Sequence, residues 1–133
     1  MQSLAVRYTL YRRRWAPIIP LTLTSRHRSV QADGYLDSGA FYSVVRLELL
    51  TRLGLQPRQG KARYLVVGHG SFIPVYVFKL SVEIGGERLI ADVAFSDRLG
   101  VGFNLIGRRG IFEHFDEIIF RERRREVEFR RGP

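Results

Sequence analysis

The chain has 133 residues, 45% of them apolar, enough for one domain with a real core. Its 22 basic and 13 acidic residues leave a net charge of +9, and all the bases but Lys61 and Lys79 are Arg. It has no Cys, which excludes disulfides and thiolate chemistry and leaves the redox compartment open.

No apolar stretch approaches the roughly 20 residues that span a bilayer, and Met1–Arg7 lacks the long apolar region of a signal peptide. The expectation is a soluble cytoplasmic protein. The charge suits nucleic acid, acidic peptides or an anionic membrane. No nucleic-acid motif accompanies it, so an Arg-rich solvated surface is the favoured reading.

In chain order, residues 4–11 and 18–24 read as strands, with Pro17 and Pro20 placing the second near a sheet edge. Arg12–Arg14, flanked by Tyr11 and Trp15, alternates like an edge strand. Residues 28–36 form a strand that delivers Asp37 at its apolar end. Ser38 and Gly39 then turn the chain, Gly39 supplying backbone freedom. Residues 45–53 read as a helix, with Leu49, Leu50 and Leu53 on one side and Gly54 as its stop. Strands follow at about 62–67, 72–84 and 88–95. Gly68-His69-Gly70-Ser71 makes a glycine-rich hairpin tip between the first two, and Gly85-Gly86 turns between the next two. A short helix is predicted at 109–115, after Leu105-Ile106-Gly107-Arg108. The chain ends in a hairpin, 117–120 and 127–129, around the Arg-rich turn 121–126.

Asp-Ser-Gly alone is what many turns carry. Here it stands in Leu36-Asp37-Ser38-Gly39-Ala40, with Ser43-Val44-Val45 following. Val66 to Val75 comes next, with its Gly-rich tip, and then Asn104-Leu105-Ile106-Gly107-Arg108. These three segments, in this order, resemble the active-site loop, flap and second hallmark of the retropepsin-like aspartic proteases, in their cellular and bacterial branch. The order of elements fits from about residue 18 to residue 115.

The resemblance implies an all-β fold: a closed retropepsin-like barrel, one lobe per chain, with a flap hairpin and one or two short helices. Residues 1–133 would be a single such domain. It implies an aspartic endopeptidase that activates water between two Asp37 carboxylates, one from each chain of a homodimer, with peptide or protein as substrate. Ser38, Gly39 and Ala40 would form the active-site loop, the Ser38 hydroxyl bonding across the interface. Gly68, His69, Gly70 and Ser71 would supply flap contacts to substrate. Leu105, Ile106, Gly107 and Arg108 would support the loop from beneath. Leu36, Val44, Phe72, Ile73, Val101, Phe103 and Leu105 are candidates for side-chain pockets or plain core.

Two departures stand out. The viral enzymes pair the Arg at position 108 with an acid directly after the Ala, and Phe41 stands there in this chain. Asp116 or a backbone carbonyl is the partner expected instead. The C-terminal hairpin would pair with a partner's termini, cover a sheet edge or dock another protein. No cofactor or metal is expected, because His27, His69 and His114 lack ligand spacing. Ser71 lacks the setting of a nucleophile, and Gly100-Val101-Gly102 that of a dinucleotide site. The competing functions are a catalytically quiet peptide-binding module on the same fold and, less favoured, a basic nucleic-acid-binding protein.

Overall fold

The computed structural model describes residues 2–66, 70–100 and 102–133. The chain is built from strands, as the alternating apolar pattern predicts. They are β1 (Gln2–Arg7), β2 (Thr9–Tyr11), β3 (Arg14–Ala16), β4 (Ile18–Ser25), β5 (Arg28–Leu36), β6 (Val44–Arg46), β7 (Lys61–Val66), β8 (Phe72–Ile84), β9 (Glu87–Ser96), β10 (Asn104–Ile106), β11 (Glu117–Arg121) and β12 (Glu126–Arg131). One α-helix, α1 (Glu48–Arg52), interrupts them. No helix among the described residues is long and apolar enough to cross a membrane.

The main sheet runs β4-β5-β10-β6-β9-β8-β7, and β4 also pairs with β8 through Thr22–Thr24 and Ser81–Glu83, so it closes into a barrel with β7 outside. Inward positions of β4, β8 and β9 fill it: Ile19, Leu23, Val82, Ile84, Val93 and Phe95 are each at most 2% exposed. Pro20, which cannot donate to a ladder, pairs with Asp33 of β5 and lies just outside the β4–β8 pairing. The N- and C-terminal strands form a second sheet, β1-β12-β11, within the chain. The C-terminal hairpin thus pairs with the chain's own N-terminus.

Several local expectations are corrected. Val45 and Arg46 are strand, not helix, because β9 (at Phe95 and Ser96) pairs with both. The helix is left with Glu48–Arg52, although Leu49, Leu50 and Leu53 are buried and Gly54, at φ 74°, ends the turn as expected. The predicted helix at 109–115 is only a 3-10 turn at Phe112–His114, since Gly110 sits at φ 83°, where a right-handed helix cannot continue. Arg12 and Arg13, at φ 48° and 66°, form a two-residue hairpin turn between β2 and β3 rather than an edge strand. That backbone disfavours side chains. The Arg12 guanidinium lies 5.3 Å from the centre of the Tyr11 ring, which meets Phe103 edge-on.

The first predicted strand, 4–11, breaks at Tyr8. Its N–H donates to the Arg125 carbonyl at 2.7 Å and its buried hydroxyl to Glu122 at 3.1 Å. Burial, then the Glu122 carboxylate, pushes the Tyr8 phenol from 10 up to about 12. The unfolded chain loses this proton near pH 10 while the folded chain keeps it until about 12, so stability falls as pH rises through that window. The expected loss by pH 12 is roughly 2–3 kcal/mol, at about 1.4 kcal/mol per unit. Urea unfolding of Tyr8→Phe should show a flatter dependence on pH between 10 and 12 than the parent. An unchanged slope would remove Tyr8 as the alkali-sensitive group.

Candidate active site

The site grows from the crossing of three strands. β5 ends at Leu36, β6 begins at Val44, and β10 lies between them, parallel to β5 and antiparallel to β6. Residues 37–43 therefore arch over the end of β10. The Asp37 N–H donates to the Ile106 carbonyl at 2.9 Å, which ties the start of the arch to β10. On the far side the Arg108 and Arg109 N–H groups donate to the carbonyls of Ala40 (3.0 Å) and Phe41 (2.7 Å). The Gly107 N–H donates to the buried Ser43 hydroxyl at 2.9 Å.

Gly107 has to be glycine. A Cβ there would stand 2.4 Å from the Tyr42 carbonyl oxygen and 2.7 Å from that of Ala40. Gly39 is favoured for a different reason from the one expected. It does not sit at positive φ, but a Cβ would come within 3.1 Å of Asp37 Oδ1. That oxygen accepts the Gly39 N–H at 2.8 Å, which orients the half-buried carboxylate. Ser38 is exposed beside it.

Asp37 opens onto a cleft of about 680 Å³, within the usual range for ligand sites. One wall is the arch: Gly39, Ala40, Phe41 and Tyr42. The other is the β7–β8 hairpin: Tyr64, Leu65, Val66 and Ile73. Val44, Leu99 and Leu105 complete it. Asp37 is the only acid among the described residues lining it. The lining is otherwise apolar, and Phe41, Tyr64 and Val66 are largely exposed.

Of the predicted residues, Asp37, Gly39, Ala40, Val44, Ile73 and Leu105 thus share one cleft. Leu36 and Ile106 are buried core beneath it. Phe103 instead stacks on Tyr35, with ring centres 4.8 Å apart. Phe72 is 65% exposed and does not line the cleft. Gly70 and Ser71 are exposed at the hairpin tip. Gly68, His69 and Val101 lie outside the described residues.

Among the described residues the Arg108 side chain takes neither expected partner. Asp116 accepts the Gly132 N–H, and the Arg108 guanidinium lies over the Phe41 ring, 5.7 Å from its centre. No group of three or more His, Asp or Glu among the described residues is placed to hold a metal.

Several residues had no predicted role. Ser43 supports Gly107. Asn104, almost buried, donates to the Asp33 carbonyl and accepts the Arg46 N–H, each at 2.9 Å, and so locks β5 and β6 around β10. Phe41, Tyr42, Tyr64, Leu65, Val66 and Leu99 form much of the cleft. For Tyr64 and Val66 the available signal was the i, i+2 spacing on a strand leading to a Gly-rich tip.

No protein-family profile and no curated protein sequence matches the chain. Among solved structures, it is similar to a retropepsin-like aspartic protease from Rickettsia conorii. The TM-score is 0.69 at 16% identity, over 96% of this chain and 98% of that one. This chain has the all-β retropepsin-like fold.

Proposed function

We propose that residues 1–133 form one lobe of an aspartic endopeptidase, completed by a second copy of the chain. The observation that carries this reading is Asp37: one oriented carboxylate, the sole acid among the described residues that line a large, mostly apolar cleft. Peptide hydrolysis without a metal or a nucleophilic side chain needs a base for water and an acid for the leaving amine. One carboxylate cannot be both at once. Two that share a proton across a twofold axis can.

In this mechanism the ionised Asp37 takes a proton from water, and the water oxygen bonds to the peptide carbonyl carbon. The protonated Asp37 donates to the carbonyl oxygen. As the tetrahedral centre collapses, one of its hydroxyls returns a proton to the ionised carboxylate, the C–N bond breaks, and the amine nitrogen leaves with the proton of the other Asp37. The Ser38 hydroxyls bond across the axis and hold the carboxylates close. Gly39 and the described residues of the hairpin tip, Gly70 and Ser71, contact the extended peptide backbone from opposite sides, as in strand addition. The pairing of β1 with β12 of the same chain supports subunit contacts at the Asp37 arch.

Two results are expected together. A statine-type peptide should inhibit cleavage, and specific activity should fall on dilution near the dimer dissociation constant. Activity strictly linear in protein, from a species that sediments as a monomer, would overturn the shared-dyad mechanism. Absence of cleavage across a broad peptide library would instead select the catalytically quiet module.

A further inference from the structure

Against Phe41 of the cleft wall lies a cation that the hydrolytic chemistry does not use. Arg108 follows Gly107 in the turn after β10, and its N–H is fixed to the Ala40 carbonyl. Its guanidinium lies over Phe41, which lines the cleft and is 49% exposed.

Several other arginines are spent on carboxylates. Arg109 meets Asp92 at 3.5 Å, Arg121 meets Glu128 at 2.6 Å, and Arg131 meets Glu87 at 2.6 Å. Arg108 is exposed and, among the described residues, has no carboxylate within 4 Å. A guanidinium lying over a ring keeps its N–H donors available at its edge, where they match the two oxygens of a carboxylate. The chain has thus placed a planar, partly preorganised cation with no carboxylate partner among the described residues against Phe41, a residue of the cleft wall. A net charge of +9 favours the approach of acidic ligands.

We propose that Arg108 is a specificity-determining residue: it receives a carboxylate of the bound peptide, carried by a Glu or Asp side chain where the peptide passes Ala40 to Tyr42. This rests on the peptidase reading for its substrate class, but not for its test.

The test uses short peptides that differ only by Glu or Gln at one position, scanned along the sequence, each made with a free and with an amidated C-terminus. Cleavage by the parent gives kcat/KM. Fluorescence anisotropy of labelled peptides on Asp37→Asn protein gives Kd without turnover. At one position Glu should exceed Gln by about 10-fold or more in both readouts, as charge-assisted bonds allow. That ratio should fall to near 1 in Arg108→Met and be partly kept in Arg108→Lys. The preference should track the side chain, not the amidation state; tracking the terminus alone would overturn the side-chain assignment.

Equal handling of Glu and Gln at every position, or a preference that survives Arg108→Met, overturns the proposal. If Arg108→Met does not fold, the parent's Glu/Gln comparison and Arg108→Lys decide. If the parent cuts no peptide but Asp37→Asn protein still binds Glu over Gln through Arg108, the peptidase reading fails and this inference stands.

Discussion

Asp37→Asn should leave the chain folded and lower peptide cleavage by at least about 10³-fold. The fold survives because the bond that shapes the turn uses only an acceptor: Asp37 Oδ1 takes the Gly39 N–H at 2.8 Å, and an Asn Oδ1 can do the same. The activity does not survive, because an amide neither accepts a proton from water nor shares one with a second carboxylate. The effect should also spread to the parent when the two are mixed. Random pairing places many parent chains in mixed dimers with one carboxylate, so an equal amount of variant should cut the activity per parent chain by about half. Cleavage assays on refolded mixtures, with circular dichroism to confirm that the variant is folded, measure both effects. Undiminished cleavage by the variant would end the aspartic mechanism. Parent activity untouched by excess variant would end the requirement for a second copy.

What the sequence shows of this site, and what it hides, follows from physics. β8 was legible to the residue, Phe72 to Ile84, because alternating apolar residues between a Gly-rich tip and Gly85-Gly86 leave little choice of register. β5 was legible for the same reason, and with it the delivery of Asp37. The errors fall where distant partners decide. Val45 joins Leu47 and the leucines of α1 in a run that suits a helix, and only β9 makes Val45 and Arg46 a strand. Arg12 and Arg13 carry no turn signature, since glycine or asparagine usually occupies such a turn. In the cleft, the acid and the glycines announced themselves through their chemistry. The walls did not: Phe41, Tyr64 and Val66 look like core in one dimension, and their exposure is a property of the assembled barrel. The partner of Arg108 was hidden for a related reason. A sequence suggests carboxylates for an arginine more readily than the ring of a residue brought beside it by the arch.

The second large effect is expected at Gly107. Gly107→Ala puts a methyl group 2.4 Å from the Tyr42 carbonyl oxygen and 2.7 Å from that of Ala40, both backbone atoms of the arch. No rotamer change relieves such a contact, so the arch must lift from β10 by the better part of an ångström. That movement stretches the buried Gly107–Ser43 bond and the bonds that Arg108 and Arg109 make to Ala40 and Phe41. Overpacking and weakened buried hydrogen bonds together should cost about 3 kcal/mol, which lowers Tm by about 10 °C for a chain of this size. Activity should fall further than stability, because the arch also sets where Asp37 points, and displacements of this size in a catalytic group are costly. Ser43→Ala separates the two contributions. It leaves the Gly107 N–H without its acceptor but adds no bulk, so it should cost about 1–3 kcal/mol. Gly86→Ala serves as a control: a Cβ there meets nothing within 4 Å, and the penalty comes only from its φ of 88°. Thermal unfolding and kcat/KM for the three variants give the ranking. If Gly107→Ala melts no lower than Gly86→Ala, the close crossing of the arch over β10 is not what holds Asp37 in place.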